Sequence, residues 1–183
     1  LKVYAVSLNK IANDLALMGS GPRTGIAEIS LPELQKGSSI MPGKVNPVIP
    51  EVVIQVAGQV IGNDVAITIG GQQGQFELNV RVPLIARNLL GSIRLLSSCS
   101  AMLDTKCVQG LQANLGNNEK NAEATLATAT ALNPFIGYDK ASEIVKEAAD
   151  SGRAPRTVAE ELGVDPSALS EALDHHKMAN PHD

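Results

Sequence analysis

Apolar side chains recur at helical spacing along most of this chain. Leu1, Tyr4, Ala5, Leu8, Ile11, Ala12 and Leu15 follow an i, i+3, i+4, i+7 pattern, with Lys2, Ser7, Asn9, Lys10, Asn13 and Asp14 on the opposite face. The first segment therefore reads as an amphipathic helix. No capping residue precedes Leu1, and a helix without a start signal suggests a truncated chain. Gly19 ends the helix in the C′ role. Five glycines and three prolines then fall between Gly19 and Gly43, the punctuation of a long binding loop or lid. Val52 to Asn63 is a run of 12 uncharged residues whose apolar pattern continues to Ile69. It is too long for a typical strand and predicts a helix apolar on nearly all sides, which must be buried all round. A chain of 183 residues cannot hide such a helix alone, so subunit contacts are the expected cover.

Gly70-Gly71-Gln72-Gln73-Gly74 reads as a second loop. A long helical pattern follows from about Leu78 to Leu111, a break at Asn114–Asn118, and a helix from Glu119 to Ala131. Asn133-Pro134 is the expected domain boundary, dividing 1–132 from 133–183. Beyond it, Asp139 is placed to cap a helix over 140–150 that Ser151-Gly152 stops. Pro155 opens a segment ended by Gly163, and Asp165-Pro166 caps the last helix. The tail after Leu173 is expected to fray. Aromatic residues are only 2% of the chain, with no Trp. A ring-poor core of Leu, Ile, Val and Ala tilts the balance toward helix packing. The fold class expected is all-α: a long-helix bundle followed by a small helical domain.

Charge and cysteine usage narrow the class. A net charge of −4 provides no broad basic footprint for nucleic acid or an anionic membrane. Apolar residues at 44% and charged ones at 19% exclude an intrinsically disordered chain. Cys99 and Cys107 would lie about 12 Å apart along one helix, too far for a disulfide, so they read as small buried hydrophobes of a reducing compartment. Neither a secretion leader nor a clean apolar run of about 20 residues is apparent. Thr157–Val164 with the helix over 166–174 superficially resembles a helix-turn-helix, which would suggest DNA binding. From Arg156 to Asp183, however, two basic residues face six acidic ones, the wrong balance for phosphate contact.

The most informative stretch is Gly37-Ser38-Ser39-Ile40-Met41-Pro42-Gly43-Lys44-Val45-Asn46-Pro47. Two hydroxyls, a lysine and an asparagine stand among small residues just before the apolar helix. Asn46 can serve as N-cap with Pro47 at N1, although Pro50 about a turn in leaves the first helical residue open. Helix N-terminal amides with Lys44 make an anion site, and flanking glycines allow backbone N–H groups to converge. A carboxylate or phosphate would fit; an ordinary capped turn is the plain alternative.

As worded, GSSIMPGKVNP resembles the signature of the fumarase/aspartase superfamily, whose members add or eliminate across a fumaryl unit. The flanks Ser7–Asp14 and Gly19–Arg23 are similar to the segment preceding that signature. Gly74–Val80 and Leu132–Ala141 resemble the class II fumarate hydratase version of the later motifs, and Gly43 stands where aspartases often carry Ala. The resemblance spans the whole chain but only the C-terminal part of a family member. It implies hydration of fumarate to L-malate, with aspartate ammonia-lyase as the alternative and a non-catalytic assembly fragment as a reading of another class.

The resemblance also implies roles. Ser38 would be the base that takes the C3 proton of malate, and Ser39 would bind a substrate carboxylate. Lys44, Val45 and Asn46 belong to the substrate-binding loop, where Lys44 and Asn46 would meet the charge growing on the aci-carboxylate. Glu51 matches the acid that partners a histidine on another segment; by itself it is a first-turn acid favoured by the helix dipole. The expected partners are a small dicarboxylate and further copies of the chain in a homotetramer, with no nucleic acid, membrane, cofactor or metal, in the cytoplasm or, in a eukaryote, the mitochondrial matrix. Arg23 suits either contact with an anion or the role of an ordinary exposed loop arginine. Arg81, Arg87 and Arg94 suit interhelical pairing, Glu77 and Asn79 suit fixing the loop between helices, and His175, His176 and His182 lie in the tail.

Overall fold

A computed structural model describes residues 1–35, 41 and 44–180. The fold is all-α, as expected, with one two-stranded pairing among the described residues. The chain divides into two units, Leu1–Asn114 and Leu115–Asp183. The boundary expected at 132/133 falls inside the second unit, because Ala129 and Leu132 are buried in that unit's core.

In the first unit, α1 (Lys2–Met18), α2 (Val48–Gln72) and α3 (Val82–Lys106) pack side by side. Ala5, Leu8 and Ala12 of α1 meet Ile49, Val53, Ala57 and Val60 of α2, and Leu96, Cys99 and Leu103 of α3. Alanines and a cysteine at the contact bring the helix axes close, and each helix contributes a stripe at i, i+3, i+4 or i+7. Burial pushes the thiols of Cys99 and Cys107 up, which suits inert core groups. Ser92 is also buried, donating to the Asn88 carbonyl at 2.8 Å and accepting from Asn63 Nδ2 at 3.0 Å, so its hydroxyl is satisfied.

By length and composition α2 is long and apolar enough to cross a membrane, with a mean hydropathy of 1.5 over its most apolar stretch. Its partners point to a core helix instead. Asp64 pairs with Lys2 of α1 at 3.1 Å, Asn63 bonds Ser92 of α3, and one stripe is covered by both neighbours. Burial all round is not what the single chain provides. Val52, Val65 and Ile69 of α2 are exposed, as are Ile11 of α1 and Leu90 and Ile93 of α3, because one layer of three helices covers one side only.

The helix ends differ from the sequence reading in specific ways. Gly19 stops α1 without the left-handed conformation; it has φ −81° and ψ 0°. Space is the reason for glycine there, since a Cβ would sit 3.2 Å from both Leu15 O and Leu31 Cγ. Gly70 and Gly71 lie within α2 rather than in a loop. At Gly70 a Cβ would stand 2.9 Å from Ile85 Cγ1, so glycine allows α2 and α3 to approach closely. The real connection is tighter. Gln75 and Leu78 exchange backbone bonds of 3.0 Å, with Phe76 at the tip at φ +52°. Asn79 then clamps the two helix ends, donating to the Gly70 carbonyl at 2.9 Å and accepting the Arg81 amide at 2.9 Å. Asn79→Ala strips both bonds from a half-buried site. It is expected to destabilise the chain by about 1–3 kcal/mol, read as a lowered denaturant midpoint with unchanged slope.

The second unit holds α4 (Leu115–Ala124), a 3-10 segment (Leu126–Leu132), α5 (Asn133–Ile136), α6 (Tyr138–Ser151), α7 (Pro155–Glu161), α8 (Pro166–Ala172) and α9 (His175–Ala179) around Leu132, Ile144, Val158 and Leu169. The helix expected over 119–131 begins earlier and breaks at Thr125, whose extended backbone separates α4 from the tighter 3-10 turn. Gly137 takes the N-cap of α6, leaving Asp139 in the first turn, and Gly152 ends the helix at φ +67°. Arg156 ties the unit together by bonding both oxygens of Glu123 and the Leu173 carbonyl.

The tail is more ordered than expected. Asp174 caps α9 by accepting from the His176 and Lys177 amides. Asp165 caps α8 as predicted; the Ser167 hydroxyl, then the Ala168 amide, hold its carboxyl below its ordinary range. A folded-state pKa below the unfolded one makes the cap's contribution complete above the ordinary carboxylate range. That contribution is lost as pH falls through and below the range. Asp165→Asn keeps a good cap and is expected to leave neutral stability nearly unchanged while flattening the acid limb of a denaturant-midpoint titration.

Candidate active site

The 19–31 loop is built to close on itself. The Ser20 hydroxyl donates to the Leu17 carbonyl at 2.5 Å and accepts the Ile26 amide at 3.1 Å, while Ser20 O accepts the Ala27 amide at 2.7 Å. Gly25 rests against Ser20 so closely that a Cβ would fall 2.3 Å from the Ser20 carbonyl. Ala27 turns the chain at φ +49°. The loop exits as β1 (Ile29–Ser30), antiparallel to β2 (Gln112–Ala113), with Ile29 opposite Ala113 and Ser30 opposite Gln112.

Between this loop and the start of α2 lies a cleft of about 210 Å³. Gly21, Ala27 and Leu31 line one side, Lys44, Val45 and Pro47 another, and Asn114 also reaches it. Two of the expected site residues, Lys44 and Val45, therefore share one wall. Asn46 lines a neighbouring crevice with Leu34 and Cys107. Glu51 projects from the first turn of α2 and is exposed. Ser38 and Ser39 lie outside the described residues.

The helix start is arranged differently from the expectation. α2 begins at Val48, with Pro47 as N-cap and no side-chain cap from Asn46. The Val48 amide bonds the Asn46 carbonyl at 2.8 Å, and the Glu51 amide closes the first turn on Pro47 O at 3.0 Å. Pro50 sits where the helix requires no N–H. Of the first-turn amides this leaves Ile49, so an anion at this end relies on Lys44 and loop groups more than on a helix terminus.

A larger hollow of about 570 Å³ lies on the second unit, lined by Glu147, Arg153 and Glu161 among others. Its arginine is already engaged. Arg153 bridges Glu147 at 2.8 Å and Glu161 at 2.5 Å in solvent, the pattern of an exposed ion-pair shelf. Of the other arginines, Arg87 and Arg94 line a groove with Gln59 and Asn63 of α2. Sequence reasoning missed Ser20, Ala27 and Asn114 as builders of the cleft; Asn114 appeared only as a helix break.

Comparison with known proteins agrees with this architecture. Residues 1–62 match the family described as Lyase, and residues 129–180 match the one described as Fumarase C C-terminus. A class II fumarate hydratase of Mycobacterium tuberculosis is 51% identical over 175 residues, 95% of this chain and 37% of that protein. An aspartate ammonia-lyase of Pseudomonas aeruginosa is 50% identical over 182 residues, 99% of this chain and 38% of that protein. Among solved structures, a class II fumarase of Schistosoma mansoni superposes with a TM-score of 0.91 at 38% identity, covering 100% of this chain and 38% of that one. The chain thus spans less than two fifths of the length of these relatives. With half its residues shared across nearly its whole length and a family match near each end, this chain belongs to the fumarase/aspartase superfamily of lyases.

Proposed function

We propose that this chain is the C-terminal part of a class II fumarate hydratase, which interconverts fumarate and L-malate. The observation that carries the reading is the eleven-residue run GSSIMPGKVNP leading into α2, with Lys44 and Val45 in the wall of the cleft. In the dehydration direction Ser38, as alkoxide, takes the C3 proton, and the electron pair moves into the adjacent carboxylate as an aci-carboxylate. That pair then forms the double bond as the C2–O bond breaks, and the hydroxyl leaves as water with a proton from a histidine of another segment oriented by Glu51. Ser39 holds a carboxylate, while Lys44 and Asn46 stabilise charge that grows after the proton has left, which is where binding energy lowers the barrier.

The wide apolar exposure of α1, α2 and α3 supports assembly as a homotetramer with a shared helix bundle. Aspartate ammonia-lyase is the second reading, favoured by a relative of nearly equal identity. Gly43 and the motifs at 74–80 and 132–141 favour the hydratase. The complete enzyme, given fumarate, should lose the fumarate absorbance and form malate, with no ammonia released from aspartate. Ammonia release without hydration would transfer the assignment to the aspartases.

A further inference from the structure

We propose that Asn114 is a positioning residue of this site, which rests on the lyase reading: it holds the 19–31 wall of the cleft at the separation from Lys44 and Val45 that a small dicarboxylate requires. Asn114 is 87 residues from Ala27 in sequence, yet its Nδ2 donates to the Ala27 carbonyl at 3.0 Å. Its own backbone amide donates to the Glu28 carbonyl at 2.8 Å. These bonds continue the β1–β2 ladder by one step beyond Ile29–Ala113, and a two-residue ladder by itself is a weak anchor.

The stretch being anchored is conformationally demanding. Ala27 is held at φ +49°, a region that costs a non-glycine residue energy unless its surroundings enforce it. Gly21, at φ +143°, faces it so closely that a Cβ on Gly21 would lie 2.9 Å from Ala27 Cβ. Ser20 ties the loop from the α1 side and Asn114 ties it from the β2 side. Asn114 also lines the cleft that Lys44 and Val45 line. One amide side chain thus both fixes the wall and forms part of it. A wall displaced by about 1 Å can reduce turnover about 100-fold.

The test uses the complete enzyme with Asn114→Asp, Asn114→Ser and, as a control on the same strand, Gln112→Ala, with fumarate as substrate. Asn114→Asp preserves shape, replaces the donor to Ala27 and puts a negative charge on the wall. Its KM should rise about tenfold or more, and the ratio of its KM to that of the wild type should fall as salt is added, because the repulsion is screened. Asn114→Ser should lower kcat and raise KM with no such salt response, and Gln112→Ala should match the wild type. Asn114 variants that melt earlier but retain wild-type kcat and KM per folded enzyme would overturn the proposal. So would failure of both to fold while Gln112→Ala is normal, since the role would then be structural. A wild-type enzyme that turns over neither fumarate nor aspartate would instead bring down the lyase reading itself.

Discussion

Replacing Ser38 by alanine in the complete lyase is expected to lower kcat by about 10²–10⁴-fold, the usual worth of a positioned proton-transfer group. KM should stay within a few-fold of the wild type. The asymmetry follows from the role proposed for the residue. A serine hydroxyl is too weak an acid to be ionised at neutral pH unless nearby positive charge and N–H donors stabilise the alkoxide. Lys44, six residues along the chain, is a cation in the wall of the cleft. In that proposed role the removed oxygen would act on the C3 proton in the transition state, so kcat and kcat/KM should fall together. Ser39→Ala, by contrast, should mainly raise KM. Steady-state kinetics of the two variants separate the roles. A Ser38→Ala enzyme with kcat within a few-fold of the wild type would remove the serine from proton transfer.

What could be read in the sequence depended on how local each feature was. The three long helices were legible because an apolar stripe repeats over several turns, as Leu8 and Ala12 or Val53 and Ala57 show. The signature run was legible because eleven consecutive residues carry it. Features set by distant partners were not. Gly70 and Gly71 read as loop glycines, although both lie inside α2, where the missing side chain of Gly70 lets Ile85 approach closely. Asn46 looked like a cap, although the Val48 amide is taken by the Asn46 backbone carbonyl. Asp174 caps α9 through two backbone amides within three residues, a signal present in the sequence but outweighed by the polar tail around it. Asn114 and Ala27 gain their importance from a contact across 87 residues, which no window of spacing or periodicity spans.

Purified 1–183 is expected to show no hydration of fumarate and no ammonia release from aspartate above background. The polypeptide supplies the serine loop, Lys44, Asn46 and Glu51, but its three histidines are His175, His176 and His182, none in the first unit. His175 lies 3.9 Å from Glu123 of its own unit. The relatives it matches are more than twice as long, and on the proposed reading the rest of such a protein carries the histidine and the groups that clamp the second carboxylate. Holding reactants and catalytic groups together can be worth about 7–11 kcal/mol, and a partial site forfeits much of that. Assembly compounds the loss, because α1, α2 and α3 expose a broad apolar face in the single chain. If that face is the shared bundle, 1–183 alone should self-associate without forming a competent site. Mixing with the N-terminal part of the enzyme, co-refolded, should restore measurable hydration. Robust turnover by 1–183 by itself, followed by fumarate absorbance, would overturn the proposed division of the site between this chain and the rest of the enzyme.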